Sequence, residues 1–198
     1  MVNRVLRPEH TLMEAFFVAT GVVALAEMGD KTQLLALVLA ARFRKPWPIV
    51  AGIFAATIVN HALAGAVGAF VTHWVGPDVL RWILGASFIA MAVWMMIPDK
   101  LDEEEAGTRS HFGVFGTTVL AFFLAEMGDK TQIATVMLAA RFVHDYFGVV
   151  AGTTLGMMLA NTPVVFLGER IMRRVPIKLV HGISAAIFLA LGIFMIAG

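Results

Sequence analysis

Ala26-Glu27-Met28-Gly29-Asp30-Lys31-Thr32-Gln33 returns without a change as Ala125-Glu126-Met127-Gly128-Asp129-Lys130-Thr131-Gln132. Both copies lie inside long apolar runs, and each carries a Glu, an Asp and a Lys. A charged residue at the centre of a bilayer costs roughly 2.5–3.5 kcal/mol even on the lenient insertion scale. A chain that accepts this cost twice, in the same order, is most simply read as binding something charged there.

The surrounding composition sets the class. Of 198 residues 59% are hydrophobic, and the mean hydropathy is +0.82. A soluble domain of this size needs far more polar surface, so the chain reads as an all-α polytopic membrane protein whose solvent is the lipid bilayer. A strand barrel is disfavoured because the apolar segments are long and unbroken rather than alternating. The net charge of +1 comes with no basic cluster, so nucleic acid is not an expected partner. The chain has no cysteine, which excludes disulfides and thiolate metal sites. No cofactor motif is present. Met1–His10 leads into an apolar helix with no Ala-x-Ala-like cleavage site, so no cleaved signal peptide is expected.

Charge and proline bound six apolar segments, near Leu12–Ala41, Pro48–Thr72, Val79–Ile97, Phe112–Ala140, Phe147–Leu167 and Ile177–Ala197. The first and fourth exceed the roughly 20 residues that span the hydrocarbon. They must tilt, kink or break, and each holds a glycine within its charged motif, Gly29 and Gly128. The chain is an internal duplication. The motif recurs at a spacing of 99, followed each time by Ala-Ala-Arg-Phe (Ala40–Phe43, Ala139–Phe142). Val50–Gly52 matches Val150–Gly152, Gly68 answers Gly168, and Pro77 answers Pro176. The organisation expected is a first three-helix repeat over 1–97, an acidic linker over 98–111 and a second repeat over 112–198. An odd number of helices per half makes the second copy insert upside down. That is the inverted-repeat plan of many secondary transporters, whose substrate site lies near the midplane.

Lysine and arginine set the orientation. With both termini outside, the cytoplasmic loops hold Arg42, Arg44 and Lys45, then Lys100 and Arg109, then Arg170, Arg173, Arg174 and Lys178. The opposite orientation places only Arg4, Arg7, Arg81 and Arg141 inside. The acidic run Asp102–Glu105 then lies in the cytoplasm and reads as a solvated linker rather than a cation sensor.

On a helix, Glu27 and Asp30 share a face, as do Glu126 and Asp129. Inverted repeats bring these faces together, so that four carboxylates converge. They cannot all stay ionised alone in a low dielectric and need a multivalent cation, protons or basic partners. The same oxygens can hold either metal or protons, which is the physical basis of exchange. Carboxylate and amide oxygens suit hard divalent ions such as Ca2+, Mg2+ and Mn2+. Gln33 and Gln132 offer carbonyl ligands or hydrogen bonds to the carboxylates, and fall on the same face only if the helix is broken. Thr32 and Thr131 are placed to bond backbone carbonyls and ease a kink. Met28 and Met127 read as packing before they read as soft ligands. Lys31 and Lys130, four residues after each Glu, are within ion-pair reach and balance charge. The competing reading is two buried salt-bridge networks that only fix helix packing, a role apolar residues often fill as well.

Further polar groups are weaker signals. His61 and Asn161 occupy matching places, 100 residues apart, and are candidates for the pathway; His61 titrates near neutrality and is a candidate proton carrier. A helix-packing histidine is the alternative. Asn60 points elsewhere. Ser87 and Ser184 read as interhelical hydrogen bonds, and Glu14, Glu169 and His181 as helix-end residues near interfacial water. Gly52, Gly65, Gly68, Gly152, Gly156 and Gly168 read as close helix packing.

The double Glu-x-Gly-Asp-Lys-Thr motif, one per half, resembles the signature of the Golgi-type manganese/calcium transporter family, which includes bacterial manganese exporters. The resemblance covers nearly the whole chain. It implies six helices in inverted repeats and transport of Mn2+ or Ca2+ against protons, with Glu27, Asp30, Glu126 and Asp129 as the motif carboxylates. The absence of a long N-terminal extension and the short central loop point to a bacterial inner-membrane member. The expectation is a transporter, not an enzyme, exporting Mn2+ by proton antiport with alternating access. A Ca2+/H+ exchanger and a non-transporting scaffold stand as alternatives, and an intramembrane metal-dependent hydrolase is opposed by the lack of a His-Glu-x-x-His-like site. Nothing in the sequence sets an oligomeric state.

Overall fold

The computed structural model describes residues 12–97, 112–168 and 176–197. The expected acidic linker, with Asp102–Glu105, Lys100 and Arg109, lies outside these residues, as do Arg4, Arg7, Glu169, Arg170, Arg173 and Arg174. The described residues form eight α-helices and no strand: α1 (Leu12–Glu27), α2 (Lys31–Phe43), α3 (Pro46–Trp74), α4 (Pro77–Trp94), α5 (Gly113–Glu126), α6 (Lys130–Arg141), α7 (Tyr146–Leu167) and α8 (Ile177–Ala197). A short 3-10 turn, Val143–Asp145, precedes α7.

The two overlong apolar segments are each broken in two. α1 stops at Glu27 and α2 restarts at Lys31; α5 stops at Glu126 and α6 restarts at Lys130. The cause is local. Gly29 and Gly128 take positive φ, 85° and 77°, which a side chain resists. Asp30 and Asp129 follow in extended conformation as N-caps, at ψ 166° and 167°. The two copies of the motif therefore fold the same way. Other boundaries also follow local chemistry. Prolines occupy the first turn of α3 and of α4, where the missing N–H is not needed. Arg44 closes α2 in the left-handed region.

Three segments are long and apolar enough to cross a membrane: Pro46–Trp74, Val143–Leu167 and Ile177–Ala197. α5 is apolar but shorter. Many large apolar side chains face outward, among them Trp47, Phe70, Trp74, Phe147 and Phe194. So much exposed apolar surface suits lipid rather than water.

Small residues let the backbones approach. Gly52 of α3 sits against Thr118 and the Phe115 carbonyl of α5; its counterpart Gly152 of α7 sits against Ala19 and the Phe16 carbonyl of α1. Gly156 lies on Thr20 and Ala24, Gly65 on Tyr146 and Val150, and Gly68 on α6 at Val136. Gly168 differs from its expected role: it ends α7 at φ 60° instead of packing within a helix. α1 packs chiefly on α7, and α3 on α5, α6 and α7. α4 and α8 pair with each other through Gly85 and Gly192, with the Phe88 and Phe188 rings tilted 31° and their centres 6.1 Å apart.

Candidate functional site

The break places each motif glutamate at the last turn of one half-helix and each motif aspartate at the first turn of the next. The expectation that Glu27 and Asp30 share one helical face is therefore corrected. They stand on either side of a break, as do Glu126 and Asp129. The reason is the glycine between them, whose positive φ turns the chain out of the helix. Hydrogen bonds from Asp30 N to the Glu27 carbonyl (3.1 Å) and from Asp129 N to the Glu126 carbonyl (3.1 Å) close the two turns identically.

Glu27 and Glu126 are both fully buried, at 0% exposure. The Thr32 hydroxyl donates to Glu27 Oε2 at 2.6 Å, and the Thr131 hydroxyl donates to Glu126 Oε2 at 2.8 Å. The threonines were expected on backbone carbonyls. Instead the break swings them back over the carboxylates, five residues upstream. In both glutamates the other oxygen, Oε1, is buried with no hydrogen-bond partner in the structure. A buried carboxylate oxygen without a donor is costly unless something else satisfies it.

The two motifs approach one another. Glu126 lies within coulombic reach of Glu27, Asp129 and Lys31, and Glu27 within reach of Asp129 and of the Thr131 hydroxyl. Lys31 Nζ is 3.8 Å from Asp129 Oδ2, an ion pair between the two motifs. Lys130 is 2% exposed; its ammonium donates to the Ile97 carbonyl at 3.0 Å and lies 6.0 Å from the centre of the Trp94 ring. Both lysines open the second half-helix of their motif, which carries Lys31 to the other motif and Lys130 to the end of α4. In this conformation, among the described residues, no three acidic or histidine side chains stand in a geometry that holds one metal ion.

Gln33 and Gln132 do not bond the carboxylates. Each side-chain oxygen accepts from the glycine N–H of its own break, Gly29 N at 2.9 Å and Gly128 N at 2.6 Å, so the glutamines brace the turns. Gln33 Nε2 also donates to the Ala160 carbonyl of α7 at 2.8 Å.

Asn161, also of α7, donates to Glu27 Oε2 at 3.3 Å and to the carbonyl (3.2 Å) and sulfur (3.0 Å) of Met157. It thus borders the candidate site. His61 is fully buried, and both ring nitrogens lack a hydrogen-bond partner in the structure. Asn60 turns away, donating to the Phe123 carbonyl at 3.1 Å. Ser184 bonds the Val180 carbonyl of its own helix at 3.0 Å, not another helix. Met28 is partly buried and Met127 is 56% exposed.

The contact made by His181 was not foreseen. It lies near the start of α8 and is buried against its neighbours, with its Nε2 3.2 Å from the Met28 carbonyl at the first break. Only its place, 100 residues after Arg81 in a repeated chain, hinted at a shared structural role.

A family model described as "Divalent cation/proton antiporter GDT1" matches residues 15–103 and again 114–198. A Vibrio cholerae protein named "Putative manganese exporter" is 49% identical over 94% of this chain and 92% of its own length. A GDT1-like protein of Synechocystis is 28% identical over 89% of this chain and 94% of its own length. GDT1-like protein 3 of Oryza sativa subsp. indica is 26% identical over 92% of this chain and 73% of its own length. No solved structure matches the chain.

Proposed function

The chain belongs to the divalent cation/proton antiporter family, and from that premise we propose that it exports Mn2+ in exchange for protons, with Ca2+ as the alternative cargo. The carrying observation is the matched pair Glu27 and Glu126: buried, close enough to interact, each held through one oxygen by its motif threonine and offering the other. Glu27, Asp30, Glu126 and Asp129 are the proposed ligands, in the hard-oxygen chemistry that suits Mn2+ and Ca2+. Protons and the ion compete for these oxygens, which couples the two fluxes. Lys31 neutralises Asp129 when the ion is elsewhere. Asn161 positions Glu27, and His61 is the proposed proton-pathway residue of the other half.

In this reading the chain crosses the membrane six times, as two inverted three-helix repeats (1–97 and 112–198) joined by the linker 98–111. Each motif-bearing crossing is a broken helix, α1–α2 or α5–α6. Half-helix ends near the midplane supply partial charges and free backbone groups for ions. The protein resides in a bacterial inner membrane with both termini outside and the linker in the cytoplasm, from the arginine and lysine distribution.

The test is Mn2+ flux in proteoliposomes under an imposed pH gradient, with Ca2+ as a parallel cargo. Gradient-driven Mn2+ movement supports the antiporter. Preference for Ca2+ moves the assignment to the alternative cargo, flux indifferent to pH removes proton coupling, and no flux of either ion returns the motif to a packing role.

A further inference from the structure

We propose that α4 and α8 form one moving unit that rocks across the other six helices, its two ends covering the two helix breaks in turn. The inference rests on the transporter reading and names the element that exposes its site.

Each pairing among the six other helices recurs in the other half, although α1 on α7 is more extensive than α5 on α3, and α3 on α6 more extensive than α7 on α2. α1 packs on α7 as α5 packs on α3, α3 on α6 as α7 on α2, and α1 on α6 as α5 on α2. α4 and α8 break this pattern. α8 packs on α1 and α4 packs on α6, whereas among the described residues α5 with α4 and α2 with α8 make no contact of comparable extent. The pair itself is tightly joined. A methyl group on Gly192 would meet Ile89 at 2.7 Å and the Gly85 carbonyl at 2.8 Å, so the two backbones travel together.

Gly85 faces Ile196 while Gly192 faces Ile89, an antiparallel register that places Ile97 and Ile177 at the same end. That end covers the first break and holds the lysine of the second motif. Ile177 and His181 lie over Gly29, His181 Nε2 is 3.2 Å from the Met28 carbonyl, and Lys130 is docked on the Ile97 carbonyl and the Trp94 ring. The opposite end carries the residues 100 positions away: Pro77 for Ile177, Arg81 for His181, Phe194 for Trp94 and Ala197 for Ile97. Among the described residues it leaves the second break uncovered. Nothing lies within 4 Å of where a Cβ on Gly128 would stand, and Met127 is 56% exposed. Arg81 Nε is buried with no hydrogen-bond partner, a donor not yet used.

Rocking the pair exchanges these contacts. Arg81 then meets the Met127 carbonyl, Lys31 leaves Asp129 for the Ala197 carbonyl and the Phe194 ring, and His181 releases Met28. Two near-identical motifs in unlike surroundings are what one state of such a cycle requires.

The chain has no native cysteine, so introduced thiols report without background. Met28→Cys with His181→Cys forms one test pair, Met127→Cys with Arg81→Cys the other. The expected result is loss of Mn2+ flux when the first pair is oxidised, recovery on reduction, and no second bond in protein that already carries the first. Flux with the first bond intact, or both bonds in one molecule, overturns the proposal. Should the double variants be inactive when reduced, single Met28→Cys and Met127→Cys variants are titrated with a water-soluble maleimide under opposed Mn2+ gradients. Reactivities that move in opposite directions support the rocking unit; reactivities that stay fixed or move together overturn it. Wild-type protein that moves neither Mn2+ nor Ca2+ sinks the transporter reading separately, while the maleimide pattern still reports on the motion.

Discussion

Asn161 and Glu27, in different halves of the sequence, meet through a 3.3 Å hydrogen bond between two fully buried side chains. The carboxylate oxygen involved, Oε2, also accepts from Thr32, so Glu27 is held from both its own motif and α7. Hydrogen bonds to charged groups contribute about 1.5–3 kcal/mol. Asn161→Ala is expected to raise the KM for Mn2+ about 10-fold or more on that scale. Asn161→Gln, which keeps the amide but shifts it, should recover part of the loss. An unchanged KM in flux assays contradicts the positioning role.

The threonines are expected to behave as a pair. Each hydroxyl bonds the glutamate of its own motif, at 2.6 and 2.8 Å. Thr32→Val and Thr131→Val keep the volume and remove the donor, so both should depress transport while leaving the protein folded. Serine at either position should restore it. Transport kinetics on detergent-stable protein make the comparison, and loss in only one variant argues against equivalent motifs.

The two bracing glutamines should differ in cost. Gln33 joins Gly29 N to the buried Ala160 carbonyl of α7, whereas the Gln132–Gly128 bond lies open. Removing Gln33 leaves buried groups unsatisfied at about 1–3 kcal/mol. Thermal melts in detergent should show Gln33→Ala below Gln132→Ala, and the reverse order contradicts the structure.

The glycines divide in the same way. Both take positive φ, so alanine strains either turn by roughly 1–2 kcal/mol. Only at Gly29 does a new Cβ also meet a neighbour, Ile177, at 2.6 Å. Gly29→Ala is expected to be the more damaging to stability and to flux, and Ile177→Ala should relieve it in the double variant. Failure of that rescue means the packing over the first break is not what limits Gly29.

Much of this arrangement was legible in the sequence, for definite reasons. The duplicated motif and the excess length of two apolar segments pointed to the positions where helices break, and Gly29 and Gly128 supplied the conformation. The matching places of His61 and Asn161 singled out the second and fifth segments as pathway candidates, and Asn161 donates to Glu27. What stayed hidden depends on the break itself. A continuous helix puts Glu27 beside Asp30 and Lys31; the left-handed turn instead sends Thr32 to Glu27 and Lys31 to Asp129. His181 was hidden because periodicity marks a helix end without saying what that end packs against.

The central claim is that the two motifs build one ion site between them. Mn2+ binding to the purified protein, followed by the loss of the free-ion electron paramagnetic resonance signal, tests it directly in wild type, Glu27→Gln and Glu126→Gln. The account predicts one Mn2+ per chain, abolished by either substitution alone. Two ions per chain with one surviving each substitution, or binding unchanged in the double variant, contradicts it.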